Sequence, residues 1–450
     1  MWIEGYGIEH RQAGGDPAAL MKLSVDHAMF SPGFFKESLG NFRSWLDDLL
    51  KDAWESCQGV DVLIESPSTM AGIHIAEALR IPYMRAFTMP WTRTVKYPQA
   101  FMVPAVEMGP GFNYSSYVLF DNIIWKATAP QINPWRKEML GLPATDMSHL
   151  SQTKVPFMYN FSSTIVPKPL DWHDDIAITG YWTLANSDAD WSPPDDLEEF
   201  MKKAEKDDKP LVYIGFGSIT VPDPDTMTRN IIKAVDKADV RAIIAKGWSS
   251  KGSDESKKDE KEPMDYSDNC YPVDKVPHGW LFPKIKAALH HGGAGTVGAS
   301  LTAGLPTLIK PWFGDQFFWA GRVTHLGVGL KVASLDVDDL ADALRTATRD
   351  TVMIERAAML GEKIRQEDGV KAAINVSACL LDYTSIVASA DSFLALSVYL
   401  RQPSSSQQRS YSTEMAEELI RSPRNSRHCH DRAVETRRGC IHVTNRFLLA

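Results

Sequence analysis

The sequence predicts an α/β protein built of two parallel-sheet domains facing a cleft. Three stretches carry that expectation. Val60 to Phe87 reads as apolar strand, short helix, apolar strand with brief connections, and such a βαβ unit forces a parallel sheet. Ala287-Ala-Leu-His-His-Gly-Gly-Ala-Gly-Thr-Val-Gly-Ala-Ser300 reads as strand, glycine turn and helix. Leu305-Pro-Thr-Leu-Ile-Lys-Pro-Trp-Phe-Gly-Asp-Gln316 then supplies a second strand with a polar pair at its exit.

Along the chain, apolar residues at helical spacing predict helices near 32–39 and 43–56. The strand Val60–Glu65, a helix over Met70–Leu79 and the strand Tyr83–Phe87 follow, and Met89-Pro-Trp-Thr-Arg-Thr94 leaves at a strand's carboxyl end, the side where open α/β sheets bind ligands. Residues 98–135 are rich in Phe, Tyr, Met, Pro and Trp. They read either as core or as an apolar acceptor pocket, with Trp91, Phe101, Phe112 and Tyr114 as its candidate lining, and their broken periodicity favours a loop-rich cap. Strands at 157–161 and 176–180 lead to an acidic, proline-containing run at 186–194, the expected domain boundary.

The second domain opens on the strand Leu211-Val-Tyr-Ile-Gly-Phe-Gly-Ser218, which ends in another glycine turn. A helix at 227–237 and a strand at 240–245 come next, with Lys246-Gly-Trp248 at the strand's exit and a charged loop over 249–268. After the 287–316 segment, helix, strand and two helices are expected at 317–326, 328–332, 336–348 and 353–368. The domains are thus expected at 1–185 and 186–375. From 376 the apolar periodicity fades, and the last fifty residues hold nine arginines and no lysine, the composition of a disordered tail.

The chemistry concentrates at 287–316. Gly292, Gly293 and Gly295 let a ligand approach the backbone. The helix opening near Ala294 aims unpaired amides and its positive dipole end at that ligand, which favours a phosphate or diphosphate. His290 and His291 stand at the strand end within reach of a phosphate oxygen, and Asp315 with Gln316 offers acceptors and donors to neighbouring hydroxyls. Taken alone, the glycines also suit a plain strand-to-helix turn and the histidines a cap or core.

His-His-Gly-Gly-Ala-Gly-Thr296 followed by Pro311-Trp-Phe-Gly-Asp-Gln-Phe-Phe-Trp319 resembles the donor-site signature of nucleotide-sugar glycosyltransferases, and most closely that of the sterol 3-beta-glucosyltransferases. The likeness extends to Ala13-Gly-Gly-Asp-Pro17, Phe34-Phe-Lys-Glu-Ser-Leu-Gly40, Thr88-Met-Pro-Trp-Thr-Arg-Thr94, Gly180-Tyr-Trp182 and Gly215-Phe-Gly-Ser218. The resemblance implies the GT-B fold of two Rossmann-like domains. It also implies metal-independent, inverting transfer of glucose from UDP-glucose, a co-substrate rather than a cofactor, to a sterol 3-hydroxyl. By the same resemblance His291, Gly293, Gly295, Thr296 and Ser218 bind the diphosphate, and Asp315 and Gln316 hold the glucose. Lys246, Trp248 and Trp280 are candidates to flank the uracil, although each tryptophan alone serves a core equally well. The family opens on a strand and a Gly-Ser-Arg-Gly-Asp turn carrying the base. This sequence begins at Met1-Trp-Ile-Glu4, so the first domain is expected to be incomplete, the catalytic base is unassigned, and turnover is expected to be low. His74 and Asp61 are weak substitutes, one helical and one within a strand.

Composition narrows the partners. A net charge of −9 gives no general attraction to nucleic acid. The five scattered cysteines show no metal spacing and suit a reducing cytoplasm, and no run of eighteen apolar residues is present. A transient membrane-surface contact is expected from the sterol acceptor alone.

Overall fold

In the computed structural model the described residues are 3–14, 45–152, 155–184, 191–217, 219, 223–247 and 264–389. The expected helix at 32–39, the donor candidates Ser218 and Trp248, and most of the 249–268 loop lie outside them.

The first domain is a four-stranded parallel sheet, β1 (Leu63–Glu65), β2 (Tyr83–Phe87), β3 (Phe157–Tyr159) and β4 (Ile176–Ile178), hydrogen-bonded in sequence order. Strands of three to five residues suffice because both faces are covered. Leu46, Leu50 and Ile75 pack on one part, from a helix over 45–56 and from α2 (Gly72–Leu79). Between β2 and β3, residues Gly109–Glu138 form a single helix, α3, where the sequence suggested a loop-rich cap. Its buried positions Tyr117, Phe120, Thr128, Ile132 and Trp135 recur at three-, four- and eight-residue intervals, which is one helical face. Pro130 and Pro134 lie inside it. An interior proline costs about 3 kcal/mol, and burial of this aromatic face against α2, the 45–56 helix and the loop after β2 offsets that cost. Near the helix's end Arg136, almost wholly buried, donates to His74 Nδ1 (2.7 Å), Glu77 (2.8 Å) and the Pro143 carbonyl (2.9 Å).

The second domain is a six-stranded parallel sheet of β5 (Leu211–Gly215), β6 (Arg241–Ala245), β7 (Cys270–Val273), β8 (Ala287–His290), β9 (Thr307–Ile309) and β10 (Gly329–Lys331). Its spatial order is β10-β9-β8-β5-β6-β7, a doubly wound sheet whose direction of winding reverses between β5 and β8. The strand β7 was not expected. Pro272 lies within it, and the sheet tolerates that residue because β7 is an edge strand bonded only to β6.

The two domains share one continuous core. Phe161, Tyr97, Ile165 and Val166 of the first domain are buried together with Phe318, Trp319, Val297 and Leu301 of the second. Arg322 donates to the Ile165 carbonyl (2.6 Å), and Ser162 donates to Glu367 (2.6 Å). The two crossings between domains lie against each other, since a Cβ on Gly369 would sit 2.2 Å from the Tyr181 carbonyl. The last described helix, Gly369–Ser389, runs past residue 376, where the pattern suggested a tail. It returns to the first sheet, with Ala373 and Val376 packed on Met84 and Met158. Residues 390–450 lie outside the description.

Candidate functional site

Beyond the carboxyl ends of β5 and β8 the connections leave in opposite directions and open a crevice, the place where such sheets bind ligands. Its walls are almost bare backbone. Gly217, at φ 62°, follows β5, and a Cβ there would meet the His291 ring at 3.6 Å. A Cβ on Gly247, after β6, would lie 2.5 Å from the Gly217 carbonyl. On the other wall Gly292 takes φ 91°, and Gly293 caps the helix α8 (Ala294–Thr302). The first amides of that helix have no acceptor within it.

The two histidines divide the work. His290 is fully buried, and both its nitrogens are spent on the turn: Nδ1 accepts from the Gly292 amide (3.1 Å), and Nε2–H donates to Ser300 Oγ (3.2 Å). It therefore holds the glycine turn in place and does not reach for phosphate, contrary to the expectation from sequence. His291 lies in the crevice with Nε2 beside Gly293, and its buried Nδ1 has no hydrogen-bond partner. Burial, and secondarily the charge of His278, push His291 down to about 4, so the ring is neutral at physiological pH.

One strand further on, Asp315 precedes the helix α9 (Gln316–Leu326). Its Oδ2 accepts from the indole Nε1–H of Trp319 at 2.8 Å, one turn later on the same face. Burial lifts the carboxyl to about 6, and the bond from Trp319 partly opposes that rise. Gln316 turns its carbonyl oxygen to the amides of Trp312 (2.7 Å) and Phe313 (3.2 Å), which leaves its NH2 as the group able to meet a ligand. Trp319 was missed by residue-type reasoning. The i,i+4 spacing from Asp315 was the available signal.

Across the cleft, Trp91, Tyr114, Phe120, Trp125 and Phe157 line a cavity of about 490 Å³ between α3 and the first sheet. The Tyr159 hydroxyl accepts from the amides of Trp91 (3.0 Å) and Thr92 (2.7 Å), which fixes the loop after β2. Phe101 stands behind the lining, edge-on to Trp91 at 6.0 Å, and abuts Gly314, where a Cβ would lie 3.1 Å away. The apolar cavity and the Gly314-Asp315 turn are thereby in contact. Phe112 is half-buried and is not part of the lining. The pair Arg93 and Asp121 (2.8 Å) adds charge at the wall.

Other candidates fall elsewhere. Lys246 leaves β6 beside the crevice and pairs with Asp274 at 3.0 Å. Trp280 lines a groove with Leu211 and Lys286, residues at the amino ends of β5 and β8, so it stands at the opposite end of the sheet from the crevice. There it packs edge-on against Trp191 (4.8 Å) and under Lys284, which removes it from the uracil wall. His74 is bound by Arg136. Burial first, then that guanidinium's charge, hold it at about 3, too low for a base at neutral pH.

Comparison with known proteins gives the same picture. Residues 1–98 match the glycosyltransferase family 28 N-terminal domain, and 255–369 match the C-terminal domain of erythromycin biosynthesis protein CIII-like proteins. The chain is 53% identical over 383 residues to a sterol 3-beta-glucosyltransferase of Yarrowia lipolytica, covering 85% of this chain and 26% of that protein. One from Aspergillus fumigatus is 51% identical, over 90% of this chain and 28% of that protein. The chain thus spans about a quarter of the length of the curated relatives it matches. The calicheamicin glycosyltransferase CalG4 (TM-score 0.53, 18% identity, 79% of this chain and 85% of that one) shares the fold. So does the spinosyn forosaminyltransferase SpnP (TM-score 0.54, 18% identity, 84% and 88%). With half its residues identical across most of its length, the chain resembles the matching quarter of the sterol 3-beta-glucosyltransferases, and its two winding sheets have the GT-B fold of those solved enzymes.

Proposed function

We propose that this chain transfers glucose from UDP-glucose to the 3-hydroxyl of a sterol, inverting the anomeric centre. The observation that carries the reading is the unpartnered Nδ1 of His291, buried in a glycine-walled crevice at a helix N-terminus. A buried polar atom left open needs a partner, and a diphosphate at that place supplies one. In this reading His291, Gly293, Gly295 and Thr296 hold the diphosphate, with Lys246 leaving β6 beside the crevice. Asp315 and the NH2 of Gln316 hold the glucose hydroxyls, and Trp91, Tyr114, Phe120 and Trp125 surround the acceptor, with Phe101 behind Trp91. The sterol oxygen attacks the anomeric carbon from the face opposite the diphosphate. The bond to the diphosphate breaks, its electron pair leaves with UDP, and the hydroxyl proton passes to a base. Charge that grows on the leaving group falls on amides already oriented toward it, which is the role a cation would otherwise fill.

Calorimetry with UDP-glucose, paired with UDP release measured with and without cholesterol in cyclodextrin, tests the reading. Binding of the nucleotide sugar and sterol-stimulated release are expected. No binding by folded protein, or release indifferent to sterol, rejects it.

Trp319→Phe gives a narrower check. The ring keeps its packing against Phe161 while the N–H that holds Asp315 is lost. A hydrogen bond to a charged group is worth about 1.5–3 kcal/mol, so kcat/KM should drop by about tenfold or more. The pH midpoint for UDP-glucose binding should move upward, because that bond is what lowers the Asp315 carboxyl. An unchanged midpoint would show that Trp319 acts only as packing.

We also place the enzyme's action at a membrane surface, where its acceptor resides, in a reducing compartment. The described cysteines Cys57, Cys270 and Cys379 are free thiols, which suits that setting. Among the described residues no helix is long and apolar enough to cross a membrane.

A further inference from the structure

Apolar side chains scattered singly on a surface mean little, whereas a contiguous group marks a contact site. One such group stands at the mouth of the acceptor cavity. Val95 is 46% exposed, Tyr114 44%, Met108 58%, Val106 72%, and Leu170 is fully exposed. Hydrogen bonds tie the segments that carry them into one edge. Asp171 accepts from the Val95 amide at 2.8 Å and from Thr94 Oγ1 at 2.7 Å, and Asn113 donates to the Val95 carbonyl at 3.0 Å. Asp171 and Tyr114 also line the cavity, so this edge is continuous with its opening.

We propose that Val95, Val106, Met108, Tyr114 and Leu170 form a membrane-contacting rim that seats the mouth of the acceptor cavity on a lipid bilayer. The inference rests on the sterol reading above and names the surface through which that acceptor arrives. Several features fit a bilayer surface rather than another protein. Leu170 sits at the tip of Val166-Pro-Lys-Pro-Leu170, whose prolines pre-order the loop, so that insertion forfeits little chain entropy. Tyr114 has the apolar ring and polar tip that suit the headgroup level. Lys96 and Lys168, both exposed and next to the apolar tips, can lay their stems along lipid and keep their ammonium groups in water. Asp171, next to Leu170, has both oxygens engaged within the rim. Glu107 and Asp174 remain exposed nearby, and the chain carries −9 overall. Attachment therefore comes from apolar burial and not from attraction to anionic lipid.

Flotation with phosphatidylcholine vesicles, with and without phosphatidylserine, tests the proposal on the chain and on a Val95→Asp, Leu170→Asp double variant. Neither residue lines the cavity. The wild type should float with both vesicle types to a similar extent, and the variant's bound fraction should fall by at least about tenfold. Transfer to cholesterol presented in vesicles should fall in parallel, while transfer to cholesterol delivered by cyclodextrin stays within about twofold. Equal flotation of the two proteins overturns the rim. So does a concentration-dependent dimer, seen by sedimentation, that the variant dissolves, because the patch then belongs to a second copy. Rim-dependent flotation without sugar transfer in either presentation leaves the rim standing and rejects the sterol reaction instead.

Discussion

Asp315→Asn is expected to lower glucose transfer by about ten- to a hundredfold while leaving UDP affinity and the fold intact. In the proposed reading the carboxylate accepts hydrogen bonds from glucose hydroxyls, and a bond to a charged acceptor is worth about 1.5–3 kcal/mol. Asparagine keeps the size and can still accept from Trp319 through its carbonyl, so the packing around the indole survives. Stability should rise at neutral pH by up to about 3 kcal/mol, less what the weaker bond to Trp319 gives up. Burial lifts the carboxyl from its ordinary 3.8 to about 6, so ionising it costs the folded state about 3 kcal/mol once the pH exceeds 6. That cost is absent below about pH 4, where the group is protonated folded or unfolded, and grows between those limits. Function runs the other way. Affinity for UDP-glucose should weaken as pH falls through about 6 and protonation removes the acceptor. His291, neutral down to about 4, contributes no step in that window, and the Asn variant should show a flat profile. A step at pH 6 that persists in Asp315→Asn would assign it to another group.

The second large effect separates two glycines three residues apart. Gly292→Ala should destabilise the protein by about 2–5 kcal/mol. Its φ of 91° strains any L side chain by about 1–2 kcal/mol, and its Cβ would stand 2.4 Å from Ile309 Cγ2 in a filled core, which adds about 1–3 kcal/mol. Gly295 has ordinary helical geometry, and a Cβ there meets nothing within 4 Å. Gly295→Ala should therefore hold or gain up to about 1 kcal/mol of helix stability yet bind UDP-glucose about tenfold more weakly, because the methyl fills space beside the first free amides of α8. Thermal unfolding and calorimetry on the two variants resolve this directly. Full UDP-glucose affinity in a stable Gly295→Ala protein would mean that the diphosphate lies elsewhere.

Much of the site was legible because its chemistry is local. A glycine turn between an apolar strand and a helix places amides at the turn whatever the rest of the chain does, and Asp315 with Gln316 follows the next strand at a fixed distance. The division between the histidines was not legible. Both are at a strand end, and only the positions of the Gly292 amide and Ser300 decide that His290 is consumed internally while His291 stays open. Trp280 misled for the same reason. Its indole offers a stacking face in any context, and the path of the chain from α7 (His278–Leu281) into β8 carries it to the far end of the sheet.

By itself the sequence determined the alternation of strand and helix, the two parallel sheets and the glycine turn that opens a helix, since each follows from periodicity and backbone freedom within some twenty residues. The tertiary structure decided what depends on distant partners. Residues 109–138 are one helix because the neighbouring helices and the loop after β2 bury its aromatic face, which outweighs two interior prolines. The cavity wall reaches the Gly314-Asp315 turn because Phe101, behind Trp91, closes on Gly314. The last helix returns to the first sheet because Met84 and Met158 give its apolar side a place to bury. Such contacts join residues up to about three hundred positions apart, and their energy arises only when the chain has already folded.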